Sequence, residues 1–446
     1  MSRPKVLFFA RAYQADFFPT LLSDRYEAVF VTLSRAERLS VEARGCRATA
    51  CFEEDYNSIA LAPVPEGYLR TSLVSDRFLG HYSTERRREI LAKEIGFWRE
   101  LLEEHKPVAV VNEVVALEIS EVLLTECQRA GVRYLAPMHC AVDNMFYWLP
   151  DPFSLSGECL TLPEPDAKSI ELANAHYDEV TAQDYKPFYA KGLPGRRSLR
   201  YIAIGFAKWG LWRFRALMAH LKGGFLYEDY TYEYSKRIEE YVKSLFLGYD
   251  TFDSIPPSAE VIFYPLHQEP ETTLLYMSEF YANQVATIEN ILRCMTPEQV
   301  LVVKEHPVEK GALFRNKFRT LRKEYSALYF LPAEIPAAEV VRRASRVVVC
   351  TSTVGWQAAA IGKTVYVLGQ TFFDAMAGLK RLSGWEELRR RMRKPAERSV
   401  TRDEVVHFVA QLAAISYPGN PFLHDGLYAE LNKQRIIHGI CDAAGL

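Results

Sequence analysis

No apolar run in these 446 residues approaches the roughly 18 that a bilayer-crossing helix requires. Gly-x-Gly-x-x-Gly and Walker loops are both missing, which removes the two common glycine-rich phosphate cradles. Cysteine is sparse: the eight residues at 46, 51, 127, 140, 159, 294, 350 and 441 form no Cys-x-x-Cys and no zinc spacing. That scatter excludes a disulfide scaffold and fits reduced, mostly buried thiols in a cytosolic protein. Charge of one sign is lacking too, since 54 Lys and Arg against 56 Asp and Glu leave a net of −2. No global field draws the chain to nucleic acid. The first apolar run, Val6–Ala10, meets Arg11 at once and is too short for a secretory signal. Neither an Asp-x-Asp nor a histidine cluster offers a metal site, so no metal is expected.

What is present is a rhythm. The length favours two domains, and apolar content of 49% with 25% charged residues is ordinary for a globular chain. Lys5–Ala10 and Ala28–Leu33 read as strands. Ile90, Leu91, Ile95, Trp98, Leu101 and Leu102 recur at helical spacing and predict a helix over 84–104. A strand over 108–111 ends in Asn112-Glu113, a helix over about 116–130 closes at Gly131, and 132–136 forms the next strand. Alternation of this kind implies a parallel sheet with right-handed crossovers. The rhythm lapses over 150–200, apart from a helix expected over 165–190. It then resumes with strands at 261–264, 300–304, 328–331, 346–350 and 364–368. Helices are expected between them over 277–294, 311–324, 336–344 and from about 354, with a helical tail over 402–415 and 424–446.

Three strand tips of this second half carry the polar chemistry. Val300–Lys304 runs into Glu305-His306-Pro307, and proline stops the strand and holds His306 extended. Arg346–Cys350 runs into Thr351-Ser352-Thr353-Val354-Gly355-Trp356-Gln357, a strand, a hydroxyl-rich turn and a helix start. Free N–H groups there, beside hydroxyls, suit an anion such as phosphate. Plain helix capping would read the same way. Glu260–Tyr264 leads into Pro265-Leu266-His267-Gln268-Glu269-Pro270-Glu271-Thr272-Thr273. Ligands of open α/β sheets collect beyond such carboxyl ends.

Residues 196–222 stand apart, with seven Lys or Arg, five aromatic side chains and no acid. A basic, aromatic-rich amphipathic helix suits an anionic membrane surface. An ordinary domain helix with a solvated basic face is the other reading, with the acids Glu228, Asp229, Glu233, Glu239 and Glu240 close by in sequence. The basic clusters at 196–222 and 386–398 sit in no nucleic-acid-binding module, so no nucleic-acid partner is expected.

The Lys304-Glu305-His306-Pro307 and Thr351-Ser352-Thr353 steps resemble the His-Pro and Ser/Thr motifs of GT-B transferases that use CMP-activated sugars. Together with 265–273 and 351–359 they resemble the capsule polysaccharide biosynthesis family, which includes bacterial β-Kdo transferases. The match is specific over roughly 260–370. It implies α/β architecture of the GT-B class: two doubly wound Rossmann-like domains facing across a cleft, braced by C-terminal helices. The implied domains are 1–257 (acceptor side, with a helical insertion at about 150–250), 258–415 (nucleotide-sugar donor) and a helical tail, 416–446.

The resemblance also implies roles. His306 would contact the phosphate of the CMP leaving group, and Ser352 and Thr353 would hold the same phosphate. Glu271 matches an aspartate nucleophile of the family, and His267 replaces a glutamine. The added methylene moves the carboxylate by about 1 Å, enough to alter attack geometry. His267, Gln268, Lys304, Glu305, Thr351, Ser352, Thr353, Gly355 and Gln357 are the expected substrate-binding residues. The chemistry itself asks for oriented donors on the leaving oxygen and a base for the acceptor hydroxyl. Glu113 is the first choice of base, with His139 and Asp143 behind it.

The expected partners are a nucleotide sugar, with no separate cofactor, and a glycan or glycolipid acceptor. The expected place is the cytoplasm, with a peripheral position at the inner face of the cytoplasmic membrane as the alternative. Rival readings are a nucleotide-sugar epimerase, a polyol-phosphate transferase, or a non-catalytic scaffold of glycan assembly.

Overall fold

The computed structural model describes all residues except 1–2, 68–78, 80–81, 183–198, 222–224, 227–247, 270, 308, 310 and 315. Pro270, the acids at 228–240 and the ends of the helices expected over 165–190 and 196–222 lie outside the described residues.

In chain order, β1 (Lys5–Phe9), β2 (Glu27–Thr32), α1 (Arg35–Ala43) and β3 (Ala48–Cys51) come first. Then come α2 (Thr84–His105), β4 (Ala109–Val111), α3 (Glu118–Ala130), β5 (Arg133–Leu135), β6 (Pro137–His139) and β7 (Met145–Trp148). The middle of the chain gives α4 (Ala167–Thr181) and α5 (Leu199–Leu221). After it follow β8 (Glu260–Pro265), α6 (Gln284–Cys294), β9 (Gln299–Lys304), α7 (Asn316–Glu324), β10 (Leu328–Leu331) and α8 (Ala337–Arg343). Next are β11 (Arg346–Val349), α9 (Val354–Ala360), β12 (Thr364–Val367), α10 (Trp385–Met392) and α11 (Arg402–Ala414). The last elements are β13 (Tyr417–Pro418) and α12 (Glu430–Ala444).

Two compact units form: Met1–Ser154 with Gly210–Asp229 and Leu412–Leu446, and Leu155–Trp209 with Tyr230–Gln411. Each holds a five-stranded sheet with the same winding, β3-β2-β1-β4-β5 in one and β10-β9-β8-β11-β12 in the other. All the pairings within both sheets are parallel. The expected α/β class of two Rossmann-like halves is therefore what the chain adopts. Sheets covered on both faces need strands apolar on both sides, and Val6–Phe9 and Leu301–Val303 meet that need, each 0% exposed. Helix ends follow local rules: Ser34 and Glu37 close a capping box on α1, and Gly131 takes the left-handed conformation (φ 68°) that ends α3.

The unit boundaries differ from the expected 1–257, 258–415 and 416–446. Residues 155–182 join the C-terminal unit through specific bonds. Gly157 N–H donates to Thr371 O (2.9 Å), Tyr177 Oη to Ala360 O (3.2 Å) and Arg342 to Ala182 O (2.9 Å). The tail is not a separate element but part of the N-terminal unit. There β13 adds to β7 in a small antiparallel sheet, β13-β7-β6. Ile436, Ile440 and Cys441 of α12 enter the same core cluster as Val6, Phe8 and Phe30. Two expected helices are also shorter than their apolar patterns, starting at Gln284 rather than 277 and at Asn316 rather than 311.

Candidate functional site

Strands β8, β9 and β11 are neighbours in the C-terminal sheet. The winding reverses between β8 and β11, because β9 and β10 extend to one side and the chain then returns to the other. Open α/β sheets take their ligands at such a switch point. Here the two flanking tips touch: Thr351 N–H donates to His267 Nε2 at 3.4 Å. His267 is 6% exposed, and burial pushes its pKa down to about 4. It is neutral at physiological pH, with Nε2 as acceptor and the proton on Nδ1. Thr351 Oγ1 lies buried beside it with no hydrogen-bond partner, an orphan donor of the kind a ligand oxygen completes.

The loop after β8 is held by Gln284, the first residue of α6. Its side chain accepts from His267 N–H (2.7 Å) and donates to His267 O (3.1 Å) and to Glu269 Oε1 (2.8 Å). Glu269 N–H donates to Glu309 Oε2 (3.0 Å), and Glu309 N–H to His306 O (2.9 Å), which ties the β8 loop to the β9 loop. His306 stands half-buried at the tip of β9. Glu271 is half-buried as well; its backbone carbonyl starts a one-turn helix, and its carboxylate accepts from Thr273 Oγ1 (3.0 Å). Gln268 is in the same loop.

Several residues expected to face substrate are engaged inside instead. Lys304 is 3% exposed, and its Nζ donates to Glu305 O (2.9 Å) and Ala333 O (3.1 Å). Burial brings its pKa down to about 8. Glu305, 1% exposed, accepts from Tyr249 Oη (2.8 Å), Gly311 N–H (3.0 Å) and Leu313 N–H (2.9 Å). Burial outweighs these three donors and raises its pKa to about 7. The N–H groups of 311 and 313 are thus spent on Glu305 rather than left for a ligand.

The helix start after β11 is corrected in the same way. Val354 N–H donates to Ser352 Oγ (3.2 Å) and Gly355 N–H to Ser352 O (3.0 Å), so Ser352 uses two donors that the sequence left for phosphate. Thr353 caps α9 without a side-chain bond to it. Gly355 is a packing residue, since a Cβ there would stand 2.8 Å from Val349 Cγ2 and 3.1 Å from Phe373 Cζ. Gln357 is buried at 9% exposure. In the N-terminal unit, Glu113 at the tip of β4 is paired with Arg11 at the tip of β1 (2.9 Å), across that sheet's own switch point. His139 is half-buried against Phe422 (ring centroids 4.4 Å apart), and desolvation pushes its pKa down to about 4. Asp143 lies in the turn that follows it.

Sequence reasoning missed a cavity of about 420 Å³ beyond the tip of β12, within the size range of small-ligand sites. Phe280 and Tyr281 line it on one side, Lys380, Arg381 and Glu158 on another. Glu158 meets Lys380 (3.7 Å) and Arg381 (3.9 Å). The fully buried Asp374 holds Arg381 Nε (3.6 Å) and accepts from Ser156 Oγ (2.8 Å). The only local signal was the Lys380-Arg381 pair after a strand, and Glu158 comes from the stretch where the rhythm lapsed. Among the described residues, no three His, Cys, Asp or Glu gather to hold a metal ion.

Fold and site together define an α/β protein of two Rossmann-like units with a candidate anion site at the switch point of the second. Residues 218–418 match the family described as capsule polysaccharide biosynthesis protein. All three strand tips and the cavity-lining 280–281 and 380–383 lie in that span, so the family resemblance is borne out there. Solved structures similar to this chain include two KpsC β-Kdo transferase structures from Thermosulfurimonas dismutans. The β-Kdo 2,7 transferase shares 12% identity over 81% of this chain and 97% of its own (TM-score 0.40). The β-Kdo 2,4 transferase shares 13% over 71% and 82% (TM-score 0.35). The UDP-GlcNAc 2-epimerase of Neisseria meningitidis shares 11% over 99% and 100% (TM-score 0.31). No curated protein sequence matches the chain.

Proposed function

We propose that this chain is a glycosyltransferase of bacterial surface-polysaccharide assembly, of capsule or lipopolysaccharide. It transfers a CMP-activated, Kdo-like sugar to a glycan or lipid-linked acceptor. The observation that carries the reading is the switch point of the C-terminal sheet. There the buried Thr351 hydroxyl lacks a partner beside a neutral His267, and His306 occupies the adjacent strand tip. The family match over 218–418 supports the polysaccharide context.

In this reading the donor phosphate binds at the Thr351 hydroxyl and His306. The bond between the anomeric carbon and the phosphate oxygen breaks with its electron pair going to that oxygen, and His306 stabilises the charge that develops. The acceptor hydroxyl oxygen forms the new bond and gives its proton to a carboxylate, for which Glu271 is the candidate from this unit. His267 acts differently from His306. Its acceptor nitrogen is occupied by Thr351 N–H and its pKa is near 4, so it positions the tip of β11 and supplies no proton. The cavity beyond β12 takes the cytidine, with Phe280 and Tyr281 against the base and Lys380 or Arg381 toward the phosphate. No metal is required, which unchanged transfer rates after chelation would verify.

Calorimetry with CMP, CDP, UMP and UDP tests the reading. CMP preference is expected in the wild type and loss of it in His306→Ala, with weakening in Phe280→Ala. Transfer from CMP-Kdo is then the activity to assay. A preference for UDP would reassign the protein to the epimerase or ordinary nucleotide-sugar classes, and silence with all four nucleotides would make it a scaffold.

A further inference from the structure

Helix α5 (Leu199–Leu221) carries an apolar surface that nothing in the donor site explains. Ile204, Phe206, Leu211, Phe214, Leu217 and Leu221 are between 46% and 69% exposed. Scattered exposed apolar residues are normal on any protein, whereas a contiguous set marks a contact surface. At 100° per residue these six fall within an arc of about 160°, running along about 26 Å of a helix about 35 Å long. Arg213 and Arg215, both exposed, fall about 20° beyond the two edges of that arc. From Ile204 onward the helix therefore presents an apolar face flanked on both sides by arginine, with Arg200 one turn earlier in line with that face. Its 23 residues contain Arg200, Lys208, Arg213 and Arg215 and no Asp or Glu.

This pattern discriminates among occupants. No described helix is long and apolar enough to cross a membrane, so α5 does not span one. A second copy docking through the same face would set cationic edge against cationic edge with no acid on the helix to pair them. An anionic bilayer meets both demands at once, since acyl chains take the apolar arc while arginine stems reach up to the headgroup phosphates on either side.

We propose that Leu199–Leu221 is an in-plane anchor that seats this protein on anionic phospholipid. None of these side chains is a strand-tip residue or lines the cavity, so the proposal stands or falls independently of the donor assignment. Its consequence is orientation, because an enzyme held flat at the bilayer meets a lipid-linked acceptor in two dimensions.

Flotation of the full chain with vesicles tests it, using phosphatidylcholine alone and an equimolar mixture with phosphatidylglycerol. Co-flotation with the mixed vesicles at low salt, little with phosphatidylcholine alone, and release by high salt are expected. Phe214→Glu/Leu217→Glu should abolish binding. Arg213→Gln/Arg215→Gln should lower partitioning about thirtyfold, two near-surface cations being lost. All four positions are exposed, so an unchanged unfolding midpoint and unchanged nucleotide binding separate loss of anchoring from loss of fold. Failure to float with phosphatidylglycerol vesicles overturns the proposal. Binding unaffected by Phe214→Glu/Leu217→Glu overturns it too, as does a lipid-free dimer that this pair dissociates.

Discussion

Two buried groups at adjacent strand tips titrate in opposite senses, and their effects on stability oppose one another over the same pH range. Glu305 has its pKa raised from 4.5 to about 7 by burial. The folded state therefore holds a proton that the unfolded chain has released, and stability falls as pH rises from about 4.5 to 7. His267 has its pKa lowered from 6.5 to about 4. The unfolded chain holds the extra proton, so stability rises as pH climbs from about 4 to 6.5. Each shift of about 2.5 units corresponds to about 3 kcal/mol. The two contributions nearly cancel in the wild type and separate in single variants. His267→Gln keeps an acceptor for Thr351 N–H and removes the histidine's rising term, so its stability should fall by about 3 kcal/mol between pH 4.5 and 7, relative to wild type. Glu305→Gln should show the reverse slope. It also sets an amide against Gly311, Leu313 or Tyr249 donors, at a pH-independent cost of about 1–3 kcal/mol. Urea unfolding at half-unit pH steps, followed by tryptophan fluorescence, measures both. Parallel pH profiles for wild type and the two variants would refute the argument, because they would mean that both groups keep ordinary pKa values in the fold.

Other expectations concern the scaffold of the site. Gly355→Ala forces a methyl against Val349 and Phe373 and should cost about 1–3 kcal/mol, read by the same denaturation. Asp374→Ala strands Ser156 Oγ, Thr371 N–H and Arg381 and should cost about 2–4 kcal/mol. It should also weaken nucleotide binding more than Glu158→Ala does, since Asp374 sets the position of Arg381. Gly157→Ala drives a Cβ into Phe372 O, and faster hydrogen exchange over 155–160 would register the displacement of that segment.

The sequence by itself determined the strands and their tips. Short, β-branched apolar runs such as Val300–Val303 and Val347–Val349 read as strands buried on both faces, and Pro307 or a hydroxyl cluster marks where each one ends. Alternation with helical patterns then implies two Rossmann-like halves, and both are present with the same strand order. Periodicity is a local property, however, and it says nothing about which way a side chain turns once its strand has ended. Lys304 and Glu305 read as ligand-facing because they are polar residues at a tip. Packing turned them inward, where carbonyls at 305 and 333 and N–H groups at 311 and 313 needed partners. Ser352 likewise consumed N–H groups that a sequence can only count as free.

Long-range membership was equally invisible. Residues 155–182 joined the C-terminal unit through bonds reaching to 360 and 371, and α12 packed with β1 and β2 across more than 400 residues of chain. The contact between His267 and Thr351, 84 positions apart, exists because winding places β8 beside β11. Only the tertiary structure decides that, since burial, strand order and the satisfaction of buried polar groups are settled by the whole chain at once.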